Sequence, residues 1–127
     1  MKSILVVEDD DFLSSVISGE LTSAGYEVFS AFDGSQGVET ARAKHPDLIL
    51  MDILMPKMNG YEATALLKSG EDTKNIPVVV LSNLGQPEEV AQARAAGAED
   101  FMIKVNYTPK EIISKIRSLV PEEASAV

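Results

Sequence analysis

The chain of 127 residues contains no cysteine, no tryptophan and a single histidine, His45. Without cysteine there is no disulfide, no thiol nucleophile and no sulfur-ligated zinc site, and one histidine excludes multi-histidine metal centres. Basic residues are scarce: 11 lysines and arginines stand against 20 acids, a formal charge of −9. That balance argues against a nucleic-acid groove or an anionic membrane surface as the main partner. Long apolar runs are missing too. The N-terminal run Ile4-Leu5-Val6-Val7 stops at Glu8-Asp9-Asp10-Asp11, too short and too soon acidic for a signal peptide or a membrane span. A cytoplasmic location is therefore expected. No linker, repeat or low-complexity segment interrupts the chain, and its length suits one domain able to bury a core without staples.

What is present is an alternation of short apolar runs with helical spacing. The runs fall at residues 3–8, 26–31, 47–51, 77–82 and 99–103. Three of them, ILVV, LILM and VVVL, are apolar at every position, as in strands covered on both faces. Helical spacing occupies about 11–24, 35–44, 60–69 and 87–96, and resumes at Thr108. Gly25, Gly70 and Gly97 follow the first, third and fourth helical segments as end signals. The second follows Asp33-Gly34, stops before His45-Pro46 and has a thin apolar face of Val38 and Ala41. Thr108, Pro109 and Glu111 make a capping box for the fifth, with its stripe of Ile112, Ile113, Ile116, Leu119 and Val120. Five strand–helix units with parallel crossovers predict an α/β fold, a single doubly wound five-stranded parallel sheet with five helices, in the favoured order 2-1-3-4-5.

In such a sheet ligands bind beyond the carboxyl ends of the strands, at the switch point between strands 1 and 3. Strand 1 ends in Glu8-Asp9, strand 3 in Asp52, strand 4 in Ser82 and strand 5 in Lys104. Carboxylates converging there repel by roughly 1–4 kcal/mol per pair at about 4 Å, unless some protonate or a cation joins them. Hard oxygen ligands point to Mg²⁺ or Mn²⁺. A divalent ion on one side of Asp52 and Lys104 on the other make a pocket for a dianionic phosphoryl group. Asp52 is then a plausible nucleophile toward phosphorus, giving an acyl phosphate, with Ser82 donating to a phosphoryl oxygen. Asp10 and Asp11 read more simply as acids at a helix N-terminus.

Four motifs, ILVVEDD, DLILMDILMPKMNG, PVVVLSN and AEDFMIK, stand in order at these strand ends. With them the chain resembles the receiver domains of two-component response regulators, a likeness covering nearly all of its length. The resemblance implies the flavodoxin-like receiver fold over residues 1–120, followed by a short polar tail at 121–127. It implies that Asp52 is the phospho-acceptor. Asp9, Asp52 and the backbone carbonyl of Leu54 would ligate Mg²⁺, and Glu8 would hold it through water. Ser82 would contact the phosphoryl group, Lys104 would pair with it, and Phe101 would be the aromatic switch position. Two positions depart from the family's habit. Val105 follows the lysine where proline is usual, and a cis bond at a non-proline costs about 2.5–4 kcal/mol. Asn83 stands where a small residue is preferred. Leu54 and Leu84 would flank the path of the attacking water and imply slow self-dephosphorylation.

The implied function is a signalling switch, not an enzyme in the ordinary sense: it catalyses only its own phosphoryl transfer and self-dephosphorylation. The implied donor is a sensor histidine kinase or phosphotransfer protein. The implied output is an unidentified protein bound through helix 4, strand 5 and helix 5, by a monomer or a phosphorylation-dependent dimer. No DNA-binding or catalytic output domain follows Val120, so output is expected through protein contact unless the chain is a piece of a longer one. One alternative is a receiver-like interaction module independent of phosphorylation. Another is a metal-dependent phosphatase with an aspartyl nucleophile, disfavoured because Leu54 stands where the acid–base aspartate would be. Flavin binding on the same fold is disfavoured because the acidic loop after strand 1 would repel a phosphate.

Overall fold

The computed structural model describes residues 2–53, 55, 58–82, 86–104 and 108–120. Strands β1 (Ser3–Val7), β2 (Glu27–Ala31), β3 (Leu48–Asp52), β4 (Val78–Ser82) and β5 (Asp100–Ile103) alternate with helices α1 (Asp11–Ser23), α2 (Gly34–Lys44), α3 (Gly60–Ser69), α4 (Pro87–Ala96) and α5 (Pro109–Leu119). All strand pairs are parallel, in the order β2-β1-β3-β4-β5. This is the expected architecture. Leu54, Asn83, Leu84, Val105 and the tail at 121–127 lie outside the described residues.

The all-apolar runs bury both of their faces because successive side chains alternate across the sheet. Ile4, Val6, Leu48, Leu50, Val79, Leu81 and Met102 pack with Ile17 and Leu21 of α1 and Ile112, Ile113 and Ile116 of α5. Leu5, Val7, Ile49, Met51, Val78 and Val80 pack with Val38 and Ala41 of α2, Ala63 and Leu67 of α3, and Ala93 of α4. The thin face of α2 suffices because its glycine lets the helix approach: a Cβ on Gly37 would sit 2.9 Å from Val7 Cγ2. His45 ends α2 in the left-handed region, φ 47°, as its place before Pro46 suggests.

Capping follows the sequence closely. Asp33 accepts from Gln36 N at 2.8 Å, Asn59 and Glu62 form a capping box on α3, and Thr108 and Glu111 form one on α5. Tyr26, at the start of the β2 segment, is buried and donates from its hydroxyl to the Val120 carbonyl at 2.8 Å. This bond ties the end of α5 to the β2 side of the core. Tyr26→Phe is expected to destabilise the protein by about 1–2 kcal/mol, since the buried carbonyl loses its donor. A urea titration checks this: the midpoint should fall while the slope stays unchanged.

Candidate functional site

Register brings the strand ends level. Val7 pairs with Met51, so the next residues, Glu8 and Asp52, lie side by side. Asp52 pairs with Leu81, and Ser82 with Ile103, which sets Ser82 and Lys104 at the same edge. Alternation then sorts the side chains. Glu8, Asp52 and Lys104 continue the series that faces α1 and α5, whereas Ser82 continues the series that faces α2, α3 and α4.

The site is built from burial and charge. Glu8, Asp52 and Ser82 are 2%, 5% and 3% exposed. Lys104 Nζ lies 2.8 Å from Glu8 Oε1 and 2.9 Å from Asp52 Oδ1, a single ammonium shared by two buried carboxyls. Burial pushes the Glu8 carboxyl up to about 7; the hydrogen bond from Lys104 opposes the rise, and the Asp52 charge adds to it. Burial likewise raises Asp52, against hydrogen bonds from Lys104 and Glu8. Burial acts to lower Lys104, but its hydrogen bonds to Glu8 and Asp52 outweigh this and the ammonium is held above its ordinary value.

Asp9 is exposed at the mouth. One carboxylate oxygen from each of Glu8, Asp9 and Asp52 can lie within 4.8 Å of the others. Three hard oxygen donors, two of them buried and resisting ionisation with only Lys104 between them, fit a divalent cation of the Mg²⁺ class. The predicted ligand Leu54 is outside the described residues. The acid next in line does something else: Asp10 caps α1, accepting from Phe12 N at 3.0 Å and Leu13 N at 3.2 Å. Its own N–H donates to Glu8 Oε2 at 3.2 Å.

The Asn59-Gly60 pair fixes the backbone behind Asp52. Gly60 N donates to Ile53 O at 2.9 Å, and a Cβ on Gly60 would stand 2.1 Å from Asp52 O. Only glycine allows α3 to start this close to Asp52.

Phe101 is half-buried and packs on the α2–α4 side of the sheet. It lines a cleft of about 370 Å³ with Val90, Ala93, Arg94 and Ala98. Ser82 is brought to the same edge as the acids, and its hydroxyl donates to Glu89 of α4 at 3.3 and 3.4 Å to the two carboxyl oxygens. The motifs do not single out Glu89, because an acid in the first turn of a helix is ordinary capping chemistry. Its only signal in the sequence is its place seven residues beyond Ser82.

The family model for the response regulator receiver domain matches residues 4–117. The chain is 44% identical over 120 residues to the chemotaxis protein CheY of Treponema pallidum, covering 92% of this chain and 81% of that one. It is 36% identical over 120 residues to the DNA-binding dual master transcriptional regulator RpaA of Synechocystis, covering 94% of this chain. It spans 49% of that regulator's length. Among solved structures, the receiver domain of the sensor histidine kinase PA1611 from Pseudomonas aeruginosa, described with a magnesium ion coordinated in its active-site cleft, superposes with a TM-score of 0.84. Identity there is 30%, with 93% of this chain and 96% of that one covered. Fold, acid cluster and kinship agree, and the chain belongs to the response regulator receiver domain family.

Proposed function

We propose that the chain takes a phosphoryl group onto Asp52 in a Mg²⁺-dependent reaction and passes the change to a protein partner. The observation that carries this reading is the shared ammonium: Lys104 lies within 3 Å of both Glu8 and Asp52, with Asp9 beside them. Glu8, Asp9 and Asp52 would hold the metal, which when bound supplies positive charge for the phosphoryl oxygens. The P. aeruginosa receiver with magnesium in its cleft supports this assignment.

An Asp52 carboxylate oxygen attacks phosphorus. The new O–P bond forms as the bond from phosphorus to the donor's leaving group breaks, a histidine nitrogen of a kinase or phosphotransfer protein, or acetate from acetyl phosphate. The leaving group departs with the electron pair. Lys104 then exchanges its contact with Asp52 for one with a phosphoryl oxygen, and Ser82 donates to another. Water later cleaves the acyl phosphate and restores Asp52, so the chain acts as a self-resetting switch. In this reading the switch works in the cytoplasm, as the acidic charge balance and the motif set lead one to expect; no helix among the described residues is long and apolar enough to cross a membrane.

Output runs through α4, β5 and α5 in this reading. The Phe101 cleft opens between α4 and β5, and Lys115 of α5 is ion-paired with Asp100 of β5, so β5 is in contact with both helices. Intact-mass measurement after incubation with acetyl phosphate tests the proposal. One phosphoryl group should appear on the parent with Mg²⁺, none without Mg²⁺, and none on Asp52→Ala. A parent that stays unmodified, or an Asp52→Ala protein that gains the group, would sink the reading.

A further inference from the structure

Ser82 and Glu89 stand on different elements, and the acid pocket does not dictate where Glu89 lies. Strand alternation turns Ser82 to the face that α4 covers, away from the face of Glu8 and Lys104. There its hydroxyl meets the Glu89 carboxylate at 3.3 and 3.4 Å. Glu89 is a junction. Its Oε1 also receives Gln86 N at 3.4 Å, and its backbone carbonyl receives the Tyr61 hydroxyl at 3.4 Å. Through one residue the end of β4, the first turn of α4 and the start of α3 are tied together.

A serine hydroxyl carries one proton and can donate it in one direction at a time. A phosphoryl oxygen on Asp52 and the Glu89 carboxylate therefore compete for it. The Glu89 bond is long and divided between two oxygens, while a hydroxyl donating to an anionic oxygen reaches about 2.5–2.7 Å when well aligned. The exchange favours the phosphoryl group. We propose that Glu89 is a positioning residue for Ser82: it holds the hydroxyl toward α4 until a phosphoryl group on Asp52 claims the proton, and α4 then loses one of its ties to the sheet. This deepens the reading of Asp52 as the acceptor and rests on it. Glu89 stays near the positive end of the α4 dipole in both states, so the helix is loosened at its first turn and not unfolded.

Hydrogen–deuterium exchange tests the tie in the full chain. The parent, Ser82→Ala, Ser82→Thr and Glu89→Gln proteins are compared with and without Mg²⁺ and beryllium fluoride, a phosphoryl mimic. Amides of Val90 and Ala91 are expected to exchange about three- to tenfold faster in Ser82→Ala than in the parent without the mimic. Ser82→Thr should match the parent, because it restores the hydroxyl. Saturating mimic should raise the parent's exchange at these amides and leave that of Ser82→Ala unchanged. A capping role alone would not respond to Ser82. Parent-like exchange in Ser82→Ala, or protection in the parent that does not respond to bound mimic, overturns the proposal. Glu89→Gln keeps a capping acceptor but weakens the hold on Ser82, and should bind the mimic about threefold more tightly; equal or weaker binding also overturns it. The Ser82→Ala comparison without mimic needs no phosphoryl chemistry. Absence of a bound-fluoride signal in fluorine NMR of the parent would instead strike the acceptor reading, and the proposal with it.

Discussion

Lys104→Met is expected to slow phosphoryl transfer from acetyl phosphate to Asp52 by about 10²- to 10³-fold, the usual cost of removing one preorganised donor from a developing oxyanion. Two effects combine. The phosphoryl oxygens lose a cation, and Glu8 and Asp52 lose the ammonium that lets either of them ionise at 2.8 and 2.9 Å. Without it the two carboxyls hold a proton more strongly, so less of the Asp52 nucleophile is available at neutral pH. The same variant should be destabilised on the order of 3 kcal/mol at pH 8, where both carboxyls must ionise unpaired. At pH 5.5 the penalty should shrink, because protonation removes the repulsion. The rate of mass gain gives the first number, and urea midpoints at the two pH values give the second. A rate within threefold of the parent would show that Lys104 has no part in the transfer.

The second large effect is a pH dependence that Mg²⁺ reverses. Burial raises Glu8 from its ordinary value of 4.5 to about 7 and raises Asp52 in the same direction. Between about 4.5 and 7 the folded protein therefore binds more protons at this site than the unfolded chain does. The site's contribution to stability falls as pH rises through that window and stays low above it. After screening by solvent at the open mouth, the loss should be on the order of 1–2 kcal/mol. Glu8→Gln removes the titrating group, so the stability of the parent relative to Glu8→Gln should decline from pH 5 to pH 8. In the proposed reading Mg²⁺ is held by the ionised carboxylates, so its stabilisation should be larger at pH 8 than at pH 5.5, approaching about 2.7 kcal/mol at one hundred times its dissociation constant. Thermal melts of both proteins across pH, with and without Mg²⁺, check the sign. Parallel pH profiles for parent and Glu8→Gln would show that Glu8 does not carry the linkage.

Both predictions use residues that the sequence already marked. ILVV, LILM and VVVL could be read as doubly covered strands because a strand in a parallel sheet buries each of its faces and tolerates no polar side chain there. The acids, the serine and the lysine were legible because each interrupts such a run at its carboxyl end, where the apolar requirement stops. One helix start was legible through its capping box, Thr108 with Glu111; in the structure Asp10, Asp33, Asn59 and Thr108 each accept hydrogen bonds from backbone N–H groups of the helix that follows. The thin face of α2 was harder to interpret. Its apolar residues are few, and the close approach allowed by Gly37 against Val7 is a property of packing, not of periodicity.

The sequence by itself determined the order of elements, the sheet topology and which residues reach the functional edge, because burial, capping and crossover length are local or pattern-level constraints. Only the tertiary structure decided how those residues are shared out at the edge. Register sets Glu8 level with Asp52, so one lysine bridges both. The parity of β4 turns Ser82 to the opposite face, where α4 brings Glu89 to its hydroxyl. Register and parity turn on single residues, and a contact between chain positions seven or ninety-six apart depends on how neighbouring strands and helices dock. No run, spacing or motif encodes that docking directly.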